Sequence, residues 1–153
     1  MKKLGVIGGL GPMATAYFME LVIEMTDADE DQKHIEMLIH NCPSIPDRTR
    51  YILGLSPENP LEPMVAVGRK LAENGAEVIA IPCVTSGCFY EELTAGIPVP
   101  VISTIEETAS YLQKEHISEI GLMATDGTIE SRVFQDALEK KNIVPSFLLV
   151  ASK

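Results

Sequence analysis

Cys83 ends the apolar run Val78-Ile79-Ala80-Ile81-Pro82, and a helical pattern starts just after it. A thiol between a buried strand and a helix N-terminus has surroundings that favour the thiolate. A thiolate can take a proton or attack an electrophile. The bland alternative is packing, since a buried cysteine behaves as a small apolar side chain. A second feature is the glycine turn Gly8-Gly9-Leu10-Gly11-Pro12-Met13-Ala14, with Pro12 preset for a first helical turn. Its amides suit a small anion such as a carboxylate, or the turn is purely structural. A third is Asp47-Arg48-Thr49-Arg50, in the long stretch between residues 42 and 60. Arg48 or Arg50 would clamp an acidic substrate bidentately, unless it is one more solvated charge.

Other chemistries lack their residues. Three cysteines (Cys42, Cys83, Cys88) are too few and too scattered for a disulfide framework, so reduced thiols in the cytoplasm are expected. No CxxC spacing or Cys/His cluster points to a metal, and His34, His40 and His116 lie far apart. Gly9-x-Gly11-x-x-Ala14 has dinucleotide-turn spacing, but the second strand ends in His40-Asn41-Cys42, without the acid that would hold a ribose. A nucleotide-binding protein is therefore the least favoured reading, and no cofactor is expected. The net charge of −10 repels nucleic acid and anionic membrane surfaces. No segment has the length to span a bilayer, and glycines interrupt the run after Met1-Lys2-Lys3, so no signal peptide is expected.

The elements that must position these residues alternate. Strands are expected at Leu4 to Ile7, His34 to His40, Val78 to Pro82, Val99 to Ile102, Ile120 to Ala124 and Val144 to Val150. Helices are expected at Ala14 to Met25, Leu61 to Asn74, Ser86 to Thr94, from the capping box Ser103-x-x-Glu106 to Glu115, and from Thr128 to Lys141. This order predicts an α/β fold, an open parallel sheet flanked by helices. Ligands in such sheets bind at the carboxyl ends of the strands, which selects Gly8 to Ala14, Asn41 to Pro60, Pro82 to Gly87 and Ala124 to Thr128.

Four motifs occur in order: Gly8-Gly-Leu-Gly-Pro-Met-Ala-Thr15; Asp47-Arg48-Thr49 with Leu53-Gly-Leu-Ser-Pro57; Ile81-Pro-Cys-Val-Thr85 with Phe89-Tyr-Glu-Glu-Leu93; and Gly121-Leu-Met-Ala-Thr-Asp-Gly-Thr128. Together they resemble the aspartate/glutamate racemase family, from residue 1 to about residue 143. The resemblance implies two similar α/β domains, here residues 1–102 with Cys83 and residues 103–153 as a crossover helix and part of the second. It implies racemisation without pyridoxal phosphate, with one cysteine on each side of the substrate α-carbon. Cys83 matches the first cysteine. Gly11, Arg48, Thr49, Val84 and Thr85 fall where the family holds an acidic amino acid, aspartate or glutamate, and a homodimer is the expected assembly. The family pattern Pro-Cys-Asn-Thr-Ala-His reads here Pro82-Cys-Val-Thr-Ser-Gly87, so Val84 and Gly87 replace polar side chains. The family's second cysteine, in a Gly-Cys-Thr-Glu segment, has no match within 153 residues, and residues 144–153 do not look like the family. A truncated racemase is expected, or a catalytically inactive homologue that binds acidic amino acids.

Overall fold

The computed structural model describes residues 1–147. Its elements are β1 (Leu4–Gly8), α1 (Pro12–Met25), a 3₁₀ turn (Asp31–Lys33), β2 (Met37–Asn41), α2 (Arg48–Ile52), α3 (Leu61–Glu73), β3 (Val78–Ala80), a second 3₁₀ turn (Val84–Phe89), α4 (Tyr90–Gly96), α5 (Thr104–Lys114), β4 (Glu119–Leu122), α6 (Asp126–Glu130), α7 (Val133–Glu139) and β5 (Val144–Phe147).

β1 is buried along its whole length and pairs in parallel with β2 on one side and β3 on the other. Its alternating side chains serve two faces. Ile7 joins the larger core beneath α3, where Met64, Val67, Gly68 and Leu71 recur at helical spacing. Leu4 and Val6 form the other face, against Phe18 and Val22 of α1. β4 and β5 pair in parallel as a separate two-stranded sheet. There α5 buries Ile105 and Ala109 against Phe134, Ala137 and Leu138 of α7. Ser103 caps α5 as its sequence predicts, accepting from the Glu106 N–H at 3.2 Å.

The fold is thus the expected α/β class of parallel strands flanked by helices, with four local corrections. Val99 to Ile102 is not a strand but a single bridge, Val101 beside Ile79. Pro98 and Pro100 have no N–H to extend the ladder. The helix expected from Thr128 to Lys141 is two helices, parted at Arg132, which takes a left-handed φ of 58°. Buried Gln135 caps that break, its Nε2 donating to the Ile129 carbonyl at 2.9 Å. The 42–60 stretch contains α2, started by Asp47, whose Oδ1 accepts from the Arg50 N–H at 2.8 Å. The chain after Cys83 opens as a 3₁₀ turn, and the α-helix proper begins only at Tyr90. Residues 148–150 of the expected last strand lie outside the described residues.

Candidate active site

Parallel pairing puts Gly8, Asn41 and the chain after Ala80 at one edge of the sheet. The turns leaving that edge are tied together. Gly9 has φ +92° and lies so close to the loop after β2 that an added Cβ would come within 2.5 Å of the Cys42 backbone. Its N–H donates to the Thr15 hydroxyl at 2.9 Å, and that buried hydroxyl donates to the Gly11 carbonyl at 3.1 Å. The glycine turn is therefore closed onto α1. Gly11 stands exposed at the N-cap, with open space around it.

Arg48 is half-buried beneath this turn. Its Nη2 donates to the Leu10 carbonyl at 3.1 Å, and its Nη1 to the Pro46 and Ile45 carbonyls at 2.9 and 3.4 Å. Its Nε is buried without a partner. The sequence suggests a free fork for a carboxylate; in the structure its terminal nitrogens staple two loops together. A substrate carboxylate would have to share or displace those carbonyls. Arg50 is exposed.

Cys83 is half-buried and unpaired, in extended conformation at φ −149° and ψ 106°. Its carbonyl accepts from the Ser86 N–H at 3.2 Å, which sets the 3₁₀ turn. It lines a narrow crevice of about 20 Å³ with Val84, Tyr90 and Val101, room for about one water molecule. The six-residue 3₁₀ turn is a shorter dipole than the α-helix the sequence led one to expect.

Thr85 turns the other way, into a ring of three hydroxyls. Its Oγ1 lies 3.0 Å from Thr125 Oγ1 and 3.1 Å from Thr128 Oγ1, which are 3.0 Å from each other. Each hydroxyl can donate once and accept once, so the ring satisfies all three. Beside it, Thr49 packs on Gly127, where a Cβ would sit 3.1 Å from the Thr49 Cα. Cys88 donates to Ser131 at 3.1 Å, and Ser131 donates to the Thr128 carbonyl at 2.9 Å. Burial raises the Cys88 thiol pKa above its ordinary value, outweighing the opposing effect of Ser131. Its thiol is thus held protonated.

The structure brings Cys83, Val84, Thr85 and Thr49 to one seam with α6, and Gly11 and Arg48 to the neighbouring glycine turn. Thr125, Thr128 and Ser131 were not singled out from the sequence, although the strand-edge rule selected the segment holding the two threonines. Only the fold shows their hydroxyls facing Thr85. Val84, 39% exposed, lines both the Cys83 crevice and a hollow of about 260 Å³ shared with Thr85, Leu122, Ala124, Thr125 and Phe134.

The sequence profile of the Asp/Glu/Hydantoin racemase family matches residues 7–151. The chain belongs to that family. The match runs past residue 143 as far as residue 151, which corrects the expectation that the sequence departs from the family at residue 144. The chain is 27% identical over 142 residues to the broad specificity amino-acid racemase RacX of Bacillus subtilis (strain 168), covering 89% of this chain and 60% of that protein. Among solved structures it is similar to the Picrophilus torridus aspartate racemase, with 31% identity and a TM-score of 0.89 over 96% of this chain and 62% of that one. An aspartate racemase homologue from Pyrococcus horikoshii OT3 shares the fold at 23% identity, with a TM-score of 0.81 over 98% of this chain and 66% of that one. The chain thus spans 60 and 62% of the length of its first two relatives.

Proposed function

We propose that this racemase-family chain supplies one acid/base face of an amino-acid racemase, with Cys83 as the group that takes and returns the α-proton. The observation that carries the reading is the position of Cys83: a half-buried, unpaired thiol just beyond β3, at the sheet edge from which the glycine turn also leaves, and two residues before the ring-forming Thr85. The Cys83 thiolate removes the α-hydrogen as a proton, and the electrons of the C–H bond pass to the α-carbon and its carboxylate. Reprotonation from Cys83 restores the configuration; an acid on the opposite face inverts it. Charge growing on the carboxylate oxygens is met by donors fixed in advance. In this reading those are the amides near Gly11, the positive charge of Arg48 beside them, the Thr49 hydroxyl and the backbone at Val84, with the Thr85 hydroxyl joining them on leaving its ring. Neither Cys42 nor Cys88 is proposed as the second acid: neither stands at a position matching the family's second cysteine, and the Cys88 thiol is turned to Ser131.

Aspartate and glutamate are the substrates the resemblance implies, with no pyridoxal phosphate. Residues 1–102 and 103–153 are read as the first domain and part of the second. Three unpaired thiols suit the cytoplasm. A homodimer is proposed through α1, which leaves Met13, Tyr17, Met19, Ile23 and Met25 exposed.

The test is α-hydrogen exchange in D₂O, followed by proton NMR on L- and D-aspartate and glutamate, with circular dichroism to read inversion. Cys83→Ala is expected to cut exchange by about 100-fold or more, as expected for loss of a general base. Undiminished exchange in Cys83→Ala would refute the assignment. Ligand-dependent melting shifts for these amino acids without any exchange would leave an inactive binding homologue.

A further inference from the structure

The chain around Cys83 holds that residue from both sides. Its N–H donates to the Ile81 carbonyl at 2.7 Å, across Pro82, whose ring fixes φ. Its carbonyl accepts twice, from the Ser86 N–H at 3.2 Å and from the Ser86 hydroxyl at 2.5 Å. A carbonyl has two lone pairs, so both are used. The φ of −149° and ψ of 106° that set the direction of the Cys83 side chain are therefore tied at either end.

Of these three bonds, only the hydroxyl's is made by a side chain. The amide bond beside it is at the long end of the ordinary range and the hydroxyl bond at the short end. Ser86 is 3% exposed, so water competes little for its hydroxyl. The turn needs that tie. Hydrogen bonds in a 3₁₀ turn have poorer geometry than those of an α-helix, and the next residue is Gly87, where a Cβ would lie 2.5 Å from Ile105 Cδ1. Glycine admits α5 to close packing and gives up backbone stiffness. The family pattern has alanine and histidine at these two positions; this chain has serine and glycine. The extended region that Cys83 occupies is broad. A drift of about 20° within it swings a cysteine sulfur by about 1 Å, and a misplacement of about 1 Å at a reacting centre costs on the order of 100-fold in rate.

We propose that Ser86 is a positioning residue for the Cys83 base: its hydroxyl, bonded to the Cys83 carbonyl, holds the backbone that aims the thiol at the substrate α-carbon. The proposal rests on the racemase reading and adds a residue to it. If Ser86 only capped the turn, its loss would change stability alone.

The experiment compares wild type, Ser86→Ala and Ser86→Thr, the last keeping a hydroxyl at the same place. Melting curves set a temperature at which all three are folded. In α-hydrogen exchange in D₂O on L- and D-aspartate and glutamate, Ser86→Ala is expected to lower kcat by about 10-fold or more with KM within about 3-fold, because Gly11, Arg48 and Thr49 are untouched. Ser86→Thr is expected to recover most of that loss. A second readout needs no turnover: the rate at which iodoacetamide alkylates Cys83, in a Cys42→Ser, Cys88→Ala background that leaves it the one thiol of the chain. A loosened Cys83 backbone opens more often, so that rate is expected to rise about 3-fold or more in Ser86→Ala and to return in Ser86→Thr. Unchanged exchange and alkylation in Ser86→Ala, whatever its melting temperature, overturn the proposal, as does a folded Ser86→Thr that is as impaired as Ser86→Ala. No exchange in the wild type, with alkylation still faster in Ser86→Ala and restored in Ser86→Thr, removes the racemase reading and leaves Ser86 as the residue that holds the thiol.

Discussion

Among single residues, the threonine ring is the arrangement with most to lose. Thr128 is almost fully buried, and Thr128→Val keeps its shape while breaking two of the ring's three contacts. Thr85 and Thr125 can still bond each other, so the expected cost is about 1–3 kcal/mol, read as a lower midpoint in urea unfolding. Cys88 gives a pH prediction. Burial raises its folded pKa, so the folded state keeps its proton where an unfolded chain would have released it. The stability it contributes is full below the ordinary thiol pKa and is lost as pH rises through the folded value. Unfolding midpoints measured from neutral into alkaline pH should fall less steeply in Cys88→Ala than in wild type. The sequence showed Cys83 and Arg48 as residues of interest because their chemistry is intrinsic to their type. It did not show that the Arg48 nitrogens go to Leu10, Ile45 and Pro46, since carbonyls brought together from residues 10 and 45–46 leave no trace in composition or spacing.

At the scale of elements, the break between α6 and α7 rests on one left-handed residue. Arg132 pays for its φ of 58° and recovers little from exposed ion pairs to Asp136 and Glu139. Arg132→Gly should therefore stabilise the chain by about 1 kcal/mol, and Arg132→Val should destabilise it, each checked by thermal unfolding. A uniform helical pattern hid this break, because neither glycine nor proline marks it. The strands and most helices were legible for the opposite reason. β1 is a continuous apolar run ended by glycines, α3 carries its burial at helical spacing, and Ser103 announces α5 by capping. The Val99 to Ile102 segment misled through its valines, while the flanking prolines that decide its fate were equally in view.

Across the whole molecule, α1 is a 14-residue helix in which only Thr15 is buried, and Met13 and Met25 are 81 and 82% exposed. It carries just two acids, in a chain that otherwise repels its own copies. Light scattering should return about twice the 16.7 kDa chain mass, and Tyr17→Glu should shift that mass towards one copy. A monomeric wild type would remove the homodimer. Thr85 meets Thr125 and Thr128, and Thr49 meets Gly127, across 40 or more positions of sequence, so the site is a product of the tertiary fold rather than of any one motif. The central place of β1 has a further effect, on timing. Leu4 pairs with Met37 and Val78, so β1, once out of the ribosome, waits for residues 33 and 74 positions later. At cellular elongation rates that wait lasts roughly 4–15 s, during which a bare apolar strand is open to chaperones and to neighbouring nascent chains.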